Sequence, residues 1–250
     1  MVWVFVSAAQ VSDGRLRLTD ETARHVGGAL RVRPGEELVA VTEDGVEHHC
    51  RVVAAGPREV VADVLESRRS QMEPRRQVRV AQALLKGDQF ERILEYGTEL
   101  GVTSFQPMLT ERVVARPEDS RLRQKAERWH QVCRQGAELA HRARLPRVLE
   151  PASLETTLQA ARDDGLTPYL LYEGAGLRSL GEAIDDEGHC CLIVGPEGGW
   201  SDAEIMVARQ AGAQVVSLGA RIMRPLPAVL AAVTIALERG GDLQLKGVSE

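Results

Sequence analysis

From residue 78 to the end of the chain, short apolar segments alternate with helix-forming segments. Strands separated by helices form a largely parallel sheet covered on both faces, so this part is predicted to be an α/β fold. The predicted strands are residues 78–85, 105–109, 169–172, 190–194 and 215–218, and the predicted helices are residues 87–100, 118–145, 154–161, 202–211 and 228–239.

The first 70 residues follow a different pattern. They contain four predicted strands and one helix, at residues 19–30, and turn signals such as Arg33-Pro-Gly35 separate the strands. Several short strands at this spacing predict a small β-barrel. The segment 66–77, rich in Arg, Ser and Glu, is predicted to be a linker. We therefore expect a barrel domain at 1–72 and an α/β domain at 73–250. The predicted barrel strands are residues 2–6, 36–41, 47–54 and 59–65.

Charge is segregated along the chain, although the net charge is only −5. Basic residues dominate 112–147 and the cluster Arg68, Arg69, Arg75, Arg76 and Arg79, whereas 155–204 is acidic. A basic surface beside an acidic one could follow a phosphate backbone. The alternative is that these arginines pair with carboxylates or face water. The basic residues of 112–147 include Arg112, Arg116 and Arg142, and the only acidic residues of this segment are Glu118, Asp119, Glu127 and Glu138.

The chain contains four cysteines, Cys50, Cys133, Cys190 and Cys191, none of them at metal-ligand spacing. They are predicted to be buried apolar residues, with no metal site and no disulfide, and a cytosolic location is expected. No apolar run approaches the roughly 20 residues that span a bilayer. Residues 1–6 read as a first strand rather than a signal peptide.

One stretch has the pattern of a ligand-binding turn. An apolar strand ends in Gly195-Pro196-Glu197-Gly198-Gly199, and Ser201-x-x-Glu204 forms a capping box that starts a helix. Parallel sheets build cofactor sites in this way at the carboxyl ends of strands. No Lys follows the glycines and Glu197 would repel phosphate, so a ligand with hydroxyls, amines or positive charge fits better. S-adenosylmethionine is such a ligand; the alternative is a tight turn that binds nothing.

A second loop, Leu218-Gly-Ala-Arg-Ile-Met-Arg224, follows the next strand and leads through Pro225-Leu-Pro227 into the last helix. The two loops are predicted to lie at adjacent strand ends and to hold the two sides of one adenosine. Arg221 and Arg224 are the two charged residues of this loop and could contact what is bound there. The alternative for both arginines is surface salt bridging. Trp200 could stack on a base or simply pack.

Several longer motifs resemble one family. Ala83-Leu-Leu-Lys-Gly-Asp88, Thr98-Glu-Leu-Gly-Val102 and Pro107-Met-Leu-Thr-Glu-Arg112 are similar to its first conserved block, and the two loops above to its cofactor loops. Arg24-His25 and Leu30-Arg-Val-Arg-Pro-Gly35 are similar to its N-terminal domain. In this order, over nearly the whole chain, the motifs resemble the RsmE family of small-subunit ribosomal RNA uridine-N3 methyltransferases, members of the SPOUT superfamily.

The resemblance implies a PUA-like β-barrel at 1–72 and a SPOUT domain with a trefoil knot at 73–250. It also implies a homodimer, a 16S ribosomal RNA or small-subunit partner, and S-adenosyl-L-methionine as cofactor. The expected catalytic residues are Arg221, Arg224 and Glu197. The expected cofactor-binding residues are Leu171, Glu173, Val194, Gly195, Pro196, Glu197, Gly198, Gly199, Leu218, Gly219, Ile222, Met223, Arg224 and Ala228. The expected substrate contacts are Arg24, Arg31, Lys86, Arg112, Leu139, His141 and Arg142.

Two departures from the family pattern leave the substrate open. Where the family has Thr-Glu-Thr-Ala, this chain has Pro225-Leu-Pro-Ala228, which removes hydroxyls, a carboxylate and two backbone donors. Where the family has Gln-Ser-Gly, this chain has Leu139-Ala-His141. One alternative is an N3-methyltransferase of a small cytidine- or uridine-like nucleoside in nucleoside-antibiotic biosynthesis. Cytosine N3 already carries a lone pair and needs no base. Another alternative is an RNA-binding protein with impaired catalysis, and His141 itself could be structural.

Overall fold

A computed structural model describes residues 1–113 and 119–244 of the chain. The chain divides into two compact units. The first unit comprises Met1–Glu73 together with Ala137–Leu145, and the second comprises Pro74–Gly136 together with Pro146–Glu250. The predicted division into 1–72 and 73–250 does not anticipate that Ala137–Leu145 pack with the first unit.

The first unit is built on a six-stranded sheet with the order β1-β4-β5-β6-β3-β2. Period-two alternation directs one face of each strand inward: in β3, Leu16 and Leu18 are buried while Arg15 and Arg17 are exposed. A short helix, α1 (Asp20–Ala23), continues into a π-helical turn, Arg24–Ala29. The strands are β1 (Val2–Phe5), β2 (Val11–Ser12), β3 (Arg15–Thr19), β4 (Glu37–Val41), β5 (Val46–Ala55) and β6 (Glu59–Arg69).

The second unit is built on a six-stranded sheet with the order β12-β10-β11-β7-β8-β9, and all of its strand pairs are parallel. The central strands are buried almost throughout, as expected for a sheet covered on both faces. The strands are β7 (Val78–Ala83), β8 (Ser104–Met108), β9 (Arg147–Val148), β10 (Leu166–Leu171), β11 (His189–Val194) and β12 (Gln214–Val216).

Helices cover this sheet, and the last of them, α7 (Pro225–Arg239), contacts both the central strands β7 and β11 and helix α2 (Gln89–Leu100). Apolar residues at helical spacing bury one face of α2, including Phe90, Ile93 and Leu94. In α7 the buried face includes Val229 and Val233. The helices are α2 (Gln89–Leu100), α3 (Asp119–Leu139), α4 (Leu154–Asp163), α5 (Leu180–Ala183), α6 (Asp202–Gln210) and α7 (Pro225–Arg239).

Because the strands are parallel, the loops that follow β7, β10, β11 and β12 leave the sheet at the same edge, the carboxyl edge. The prediction that the two cofactor loops follow adjacent strands is wrong, since β10 lies between β11 and β12. The loops can still face one another, because β10 is a direct neighbour of both strands. The carboxyl edge is where open α/β sheets bind ligands.

The structure corrects several predicted boundaries. Residues 66–69 of the predicted linker continue β6 and pair with residues 46–49 of β5. Strands β2, β3 and β9 and helix α5 have no counterpart in the prediction. The long basic helix ends at Leu139 rather than at residue 145, because the next segment turns through His141 at φ +54°. Arg116 and Glu118 lie outside the described residues.

The predicted basic surface is wrong for Arg76, Arg79 and Arg142, which are buried. Arg79 is paired with Asp164 and donates from Nε to Ser104 Oγ at 3.2 Å. The sequence could not show that these arginines are buried, because their partners lie far away along the chain.

All four cysteines are buried free thiols, and burial raises the pKa of the Cys190 and Cys191 thiols to about 12. Among residues 1–113 and 119–244, no helix is long and apolar enough to cross a membrane.

Candidate active site

A cavity of about 860 Å³ opens at the carboxyl edge of the second sheet. The loops after β10, β11 and β12 form most of its wall, and the first turns of α2 and α7 complete it. Its volume lies within the range of about 300–1,000 Å³ that is usual for small-molecule sites. The lining comprises Gln89, Arg92, Leu171, Tyr172, Glu173, Val194, Gly195, Pro196, Glu197, Gly199, Trp200, Leu218, Gly219, Arg221, Ile222, Met223, Arg224, Pro225, Leu226, Pro227 and Ala228.

The glycine loop, residues 195–199, is fixed at both ends. At its start, the Gly195 carbonyl accepts a hydrogen bond from Gln82 Nε2 at 3.0 Å. At its end, Ser201 and Glu204 form the predicted capping box that starts α6. A Cβ on Gly195 would lie 3.1 Å from the Trp200 ring, which is tighter than an ordinary contact, so a side chain here would push the loop and the ring apart. The loop is therefore held both by a residue distant in sequence, Gln82, and by the capping box that follows it.

Trp200 packs beneath the loop, although it also contributes to the cavity wall. Its ring is buried, and Nε1 donates to the carbonyl of Leu171 at 3.0 Å, which joins the glycine loop to the end of β10. A buried indole with its N–H satisfied has a structural role. Of the two interpretations of Trp200, packing is the one that this geometry supports.

Two neighbouring loops support the glycine loop. The backbone N–H of Lys86, after β7, donates to Glu197 Oε1 at 3.1 Å. Arg112, after β8, donates from Nη1 to the Gly198 carbonyl at 3.0 Å. Of the expected cofactor-binding residues, Gly198 alone does not line the cavity. Lys86 and Arg112, expected to contact substrate, do not line it either, and in this structure they contact the glycine loop.

The second loop, residues 218–224, is much more exposed. Ile222 is 85% exposed, and Gly219 takes φ +104° with its N–H bonded to Ser217 Oγ at 3.2 Å. Within residues 1–113 and 119–244, the side chains of Arg221 and Arg224 make no hydrogen bond and no salt bridge. The salt-bridge alternative for these arginines therefore has no support in this structure. Both guanidinium groups stay available to a ligand at the cavity wall.

Helix α7 begins at the cavity with an unusual set of backbone donors. Pro225 and Pro227 have no N–H, and the N–H of Ala228 is bonded to the Arg224 carbonyl at 3.1 Å. Leu226 is therefore the only residue of the first three that carries a backbone donor. The wall here is apolar, and it has fewer backbone N–H donors for an anion than an ordinary helix N-terminus has.

Charged side chains of both signs line the cavity. The carboxylates are Glu173 and Glu197, and the guanidinium groups are Arg92, Arg221 and Arg224. Gln89, Arg92 and Tyr172 were missed by sequence reasoning. The first two lie in the first turn of α2, which reaches the site because β7 pairs with β11. No local pattern in the sequence predicts that pairing.

The remaining expected substrate contacts belong to the first unit. Arg24, Arg31, Leu139 and His141 are exposed, whereas Arg142 is 3% exposed and its guanidinium is bonded to Glu73 at 2.6 Å. A side chain so buried and paired is not placed to contact a substrate. The expectation for Arg142 is therefore corrected, and we assign it to holding the loop of residues 140–145.

Comparison with known proteins gives one consistent result. Residues 71–237 match the RNA methyltransferase domain family, and residues 18–65 match the RNA methyltransferase PUA domain family. Ribosomal RNA small subunit methyltransferase E of Bacillus subtilis is 31% identical over 223 residues, which cover 87% of each chain. The enzyme of that name from Mycobacterium bovis is 34% identical over 213 residues, covering 84% of this chain and 80% of the relative.

A solved structure agrees with the sequence matches. Ribosomal RNA small subunit methyltransferase E from Neisseria gonorrhoeae, bound to S-adenosyl methionine, has a TM-score of 0.84 and 28% identity, covering 94% of this chain and 95% of that chain. The predicted family and the predicted fold class, a PUA-like domain followed by a SPOUT α/β domain, are confirmed. The chain belongs to the RNA methyltransferase family that includes the ribosomal RNA small subunit methyltransferases E.

Proposed function

We propose that this chain transfers the methyl group of S-adenosyl-L-methionine to the N3 nitrogen of a uridine in 16S ribosomal RNA. One observation carries the proposal: the glycine loop and the second loop, 218–224, line the same cavity at the carboxyl edge of the sheet. The relatives named above act on the small-subunit ribosomal RNA, and the Neisseria relative binds S-adenosyl methionine. The trefoil knot, the homodimer and the cytoplasmic location implied by the resemblance belong to the same proposal.

The residues present fit this cofactor. Gly195 lets the loop pack closely on the Trp200 ring, and Gly199 adds no side chain at the cavity wall, where a Cβ would lie 3.4 Å from Glu173 Oε1. The apolar side chains of Leu171, Val194 and Met223 suit an adenine ring. The carboxylates at the wall suit hydroxyl groups, an amine and a positive sulfonium, and they would repel phosphate. We assign adenosine binding to the glycine loop and to residues 218–223.

When bound, S-adenosyl-L-methionine supplies a methyl group activated by the positive charge on sulfur. The chain must then orient a pyrimidine so that its N3 faces that methyl group, which lowers the barrier by removing the entropy of encounter. Arg221 and Arg224 would stabilise the negative charge that develops on a pyrimidine carbonyl oxygen. Within residues 1–113 and 119–244, neither guanidinium group has a hydrogen bond that it would have to break to do so.

A uridine substrate also requires a proton acceptor, because its N3 carries hydrogen at neutral pH. Of the residues that line the cavity, Glu173 and Glu197 are the two carboxylates. The Lys86 backbone N–H donates to Oε1 of Glu197, and among the described residues Oε2 has no hydrogen bond, so it could accept the proton from N3. We assign proton acceptance to Glu197 and assign Glu173 to the cofactor hydroxyls.

A second candidate substrate is a small pyrimidine nucleoside, cytidine in particular. The apolar start of α7 favours it, because Pro225, Leu226 and Pro227 put no proton acceptor and little anion affinity at that wall. Cytosine N3 has a lone pair and needs no acceptor. Family membership favours RNA, and we keep the nucleoside as the alternative.

The test incubates the protein with methyl-labelled S-adenosyl-L-methionine and three substrates: undermodified small ribosomal subunits, free uridine and free cytidine. Digestion and mass spectrometry then identify the methylated nucleoside. We expect 3-methyluridine from the subunits and no methylation of either free nucleoside. Methylation of free cytidine instead would establish the second candidate. Absence of cofactor binding in calorimetry would contradict both, and would favour an RNA-binding protein with impaired catalysis.

A further inference from the structure

We propose that the stacked rings of Trp3 and His141 form a platform on which an unpaired base of the RNA substrate stacks; this rests on the proposed action on RNA. The two ring centroids lie 4.7 Å apart and the ring planes differ by 13°. Trp3 is buried, whereas His141 is exposed. Since one face of the imidazole lies against the indole, its opposite face is turned to solvent.

The base of the platform, the Trp3 indole, is held in place before any ligand arrives. Trp3 Nε1 donates to the Arg142 carbonyl at 2.8 Å, which fixes the indole against the loop of residues 140–145. Glu73 Oε1 accepts the backbone N–H groups of Ala143 at 3.0 Å and Arg144 at 3.1 Å. The indole also belongs to a small buried apolar cluster with Phe5 and Val39. A ring held in this way loses little conformational freedom on binding.

The backbone conformation of His141 supports a ligand-binding role for its side chain. Its φ of +54° lies in the left-handed region, which glycine adopts without cost and a side chain does not. Histidine at this position therefore carries backbone strain that glycine would avoid. Strained residues of this kind concentrate at ligand-binding sites.

The surroundings favour a nucleobase as the occupant. Single-stranded RNA is bound by stacking its bases on aromatic side chains, histidine included. Leu139, 72% exposed, adds apolar surface two residues away in the chain. His25 lies 3.7 Å from Glu138, so the π-helical turn that carries Arg24 is next to the end of α3. Arg24 is exposed and can reach a phosphate.

The experiment measures binding of a fluorescent short oligouridine to the full-length protein at fixed salt. Its matched probe is an abasic strand with the same phosphates and no bases. His141→Ala removes the ring, and His141→Phe keeps a stacking ring. We expect His141→Ala to weaken oligouridine binding about tenfold and to leave abasic binding unchanged. We expect His141→Phe to stay within about twofold of the wild type.

Equal oligouridine affinity in the wild type and His141→Ala would overturn the platform, and so would an equal loss for both probes. Failure of the variant to fold is checked with His141→Gly, which relieves the backbone strain and should still lose oligouridine affinity. Calorimetry with S-adenosyl-L-methionine separates the two proposals. Normal cofactor binding with no His141 effect would contradict the platform alone. A His141 effect without cofactor binding would contradict the proposed function alone.

Discussion

The glycine loop and the second loop face the same cavity but are built in opposite ways. Residues 195–199 follow a fully buried strand and receive hydrogen bonds from Gln82, Lys86 and Arg112. Residues 218–224 follow a strand of three residues, and their largest apolar side chain, Ile222, is 85% exposed. One wall of the cavity is therefore held by hydrogen bonds from other elements, whereas the other, within the described residues, is held mainly by the partly buried side chains of Leu218 and Met223.

This difference suggests that the two loops have different roles. A preformed wall supplies affinity and orientation, because no ordering is needed on binding. A loosely held wall can close over the cofactor and bring its arginines to the substrate, as loops of low local stability often do. We therefore assign cofactor binding mainly to the glycine loop and the chemical step mainly to Arg221 and Arg224. The predictions below test this assignment, from the largest expected effect to the smallest.

The largest effect is expected for Arg224→Met. Removing the guanidinium that stabilises the developing oxyanion should lower kcat about 100- to 1,000-fold. The Kd for S-adenosyl-L-methionine should change by less than about threefold. Single-turnover methylation of small ribosomal subunits and calorimetry give the two values. Arg209→Met, on the exposed side of α6, is the matched control and should leave kcat unchanged. A cofactor affinity that falls by as large a factor as kcat would contradict the assignment of Arg224 to the chemical step.

Gly195→Val should have the opposite effect to Arg224→Met, because it should weaken cofactor binding first. The new Cβ would lie 3.1 Å from the Trp200 ring, so the loop must shift away from the cofactor. We expect the Kd for S-adenosyl-L-methionine to rise about 100-fold, equivalent to about 2.7 kcal/mol. Gly181→Ala is the matched control, because a Cβ there makes an ordinary contact 3.9 Å from Ile235. Wild-type cofactor affinity in Gly195→Val would show that the glycine loop is not the binding wall.

Replacing residues 225–227 with Thr-Glu-Thr tests the start of α7. The change restores polar groups and backbone N–H donors at the cavity wall. We expect the rate or the choice between uridine and cytidine to change about tenfold, measured by competition between the two substrates. The melting temperature should change by only a few degrees, because the replaced residues lie at a helix end. A large loss of Tm with unchanged chemistry would assign these prolines to stability alone.

The smallest effect is expected at the opposite edge of the sheet. The hydrogen bond from Arg79 lowers the pKa of Asp164 below its ordinary value of 3.8. The pair should therefore stabilise the fold above about pH 4 and lose its effect as the pH falls through the native pKa. Asp164 is 53% exposed, so solvent screens the pair and Asp164→Asn should cost about 1 kcal/mol at pH 7.

Urea unfolding of the wild type and Asp164→Asn at pH 7 and near pH 3 measures this effect. The difference between the two proteins should shrink at the lower pH, while cofactor affinity at pH 7 stays that of the wild type. A difference that grows as the pH falls would mean that Asp164 is not the group responsible. Loss of cofactor affinity would mean that the two edges of the sheet are coupled.

Sequence reasoning succeeded where the determinants are local. The glycine turn, its capping box and the proline start of α7 each lie within a few residues, and the structure brings almost every expected cofactor residue to one cavity. It failed where contacts between residues far apart in the sequence determine the structure. Gln89 and Arg92 reach the cavity through the pairing of β7 with β11, and Arg79 is buried because Asp164 neutralises it. The long helix ends early because Glu73 holds the loop that follows.

The most direct test is a crystal structure of the protein with the demethylated product, S-adenosylhomocysteine. The account predicts that the adenosine lies between residues 195–199 and 218–224, and that the second loop moves on binding more than the glycine loop does. A ligand bound elsewhere, or one that touches only one of these loops, would contradict the account.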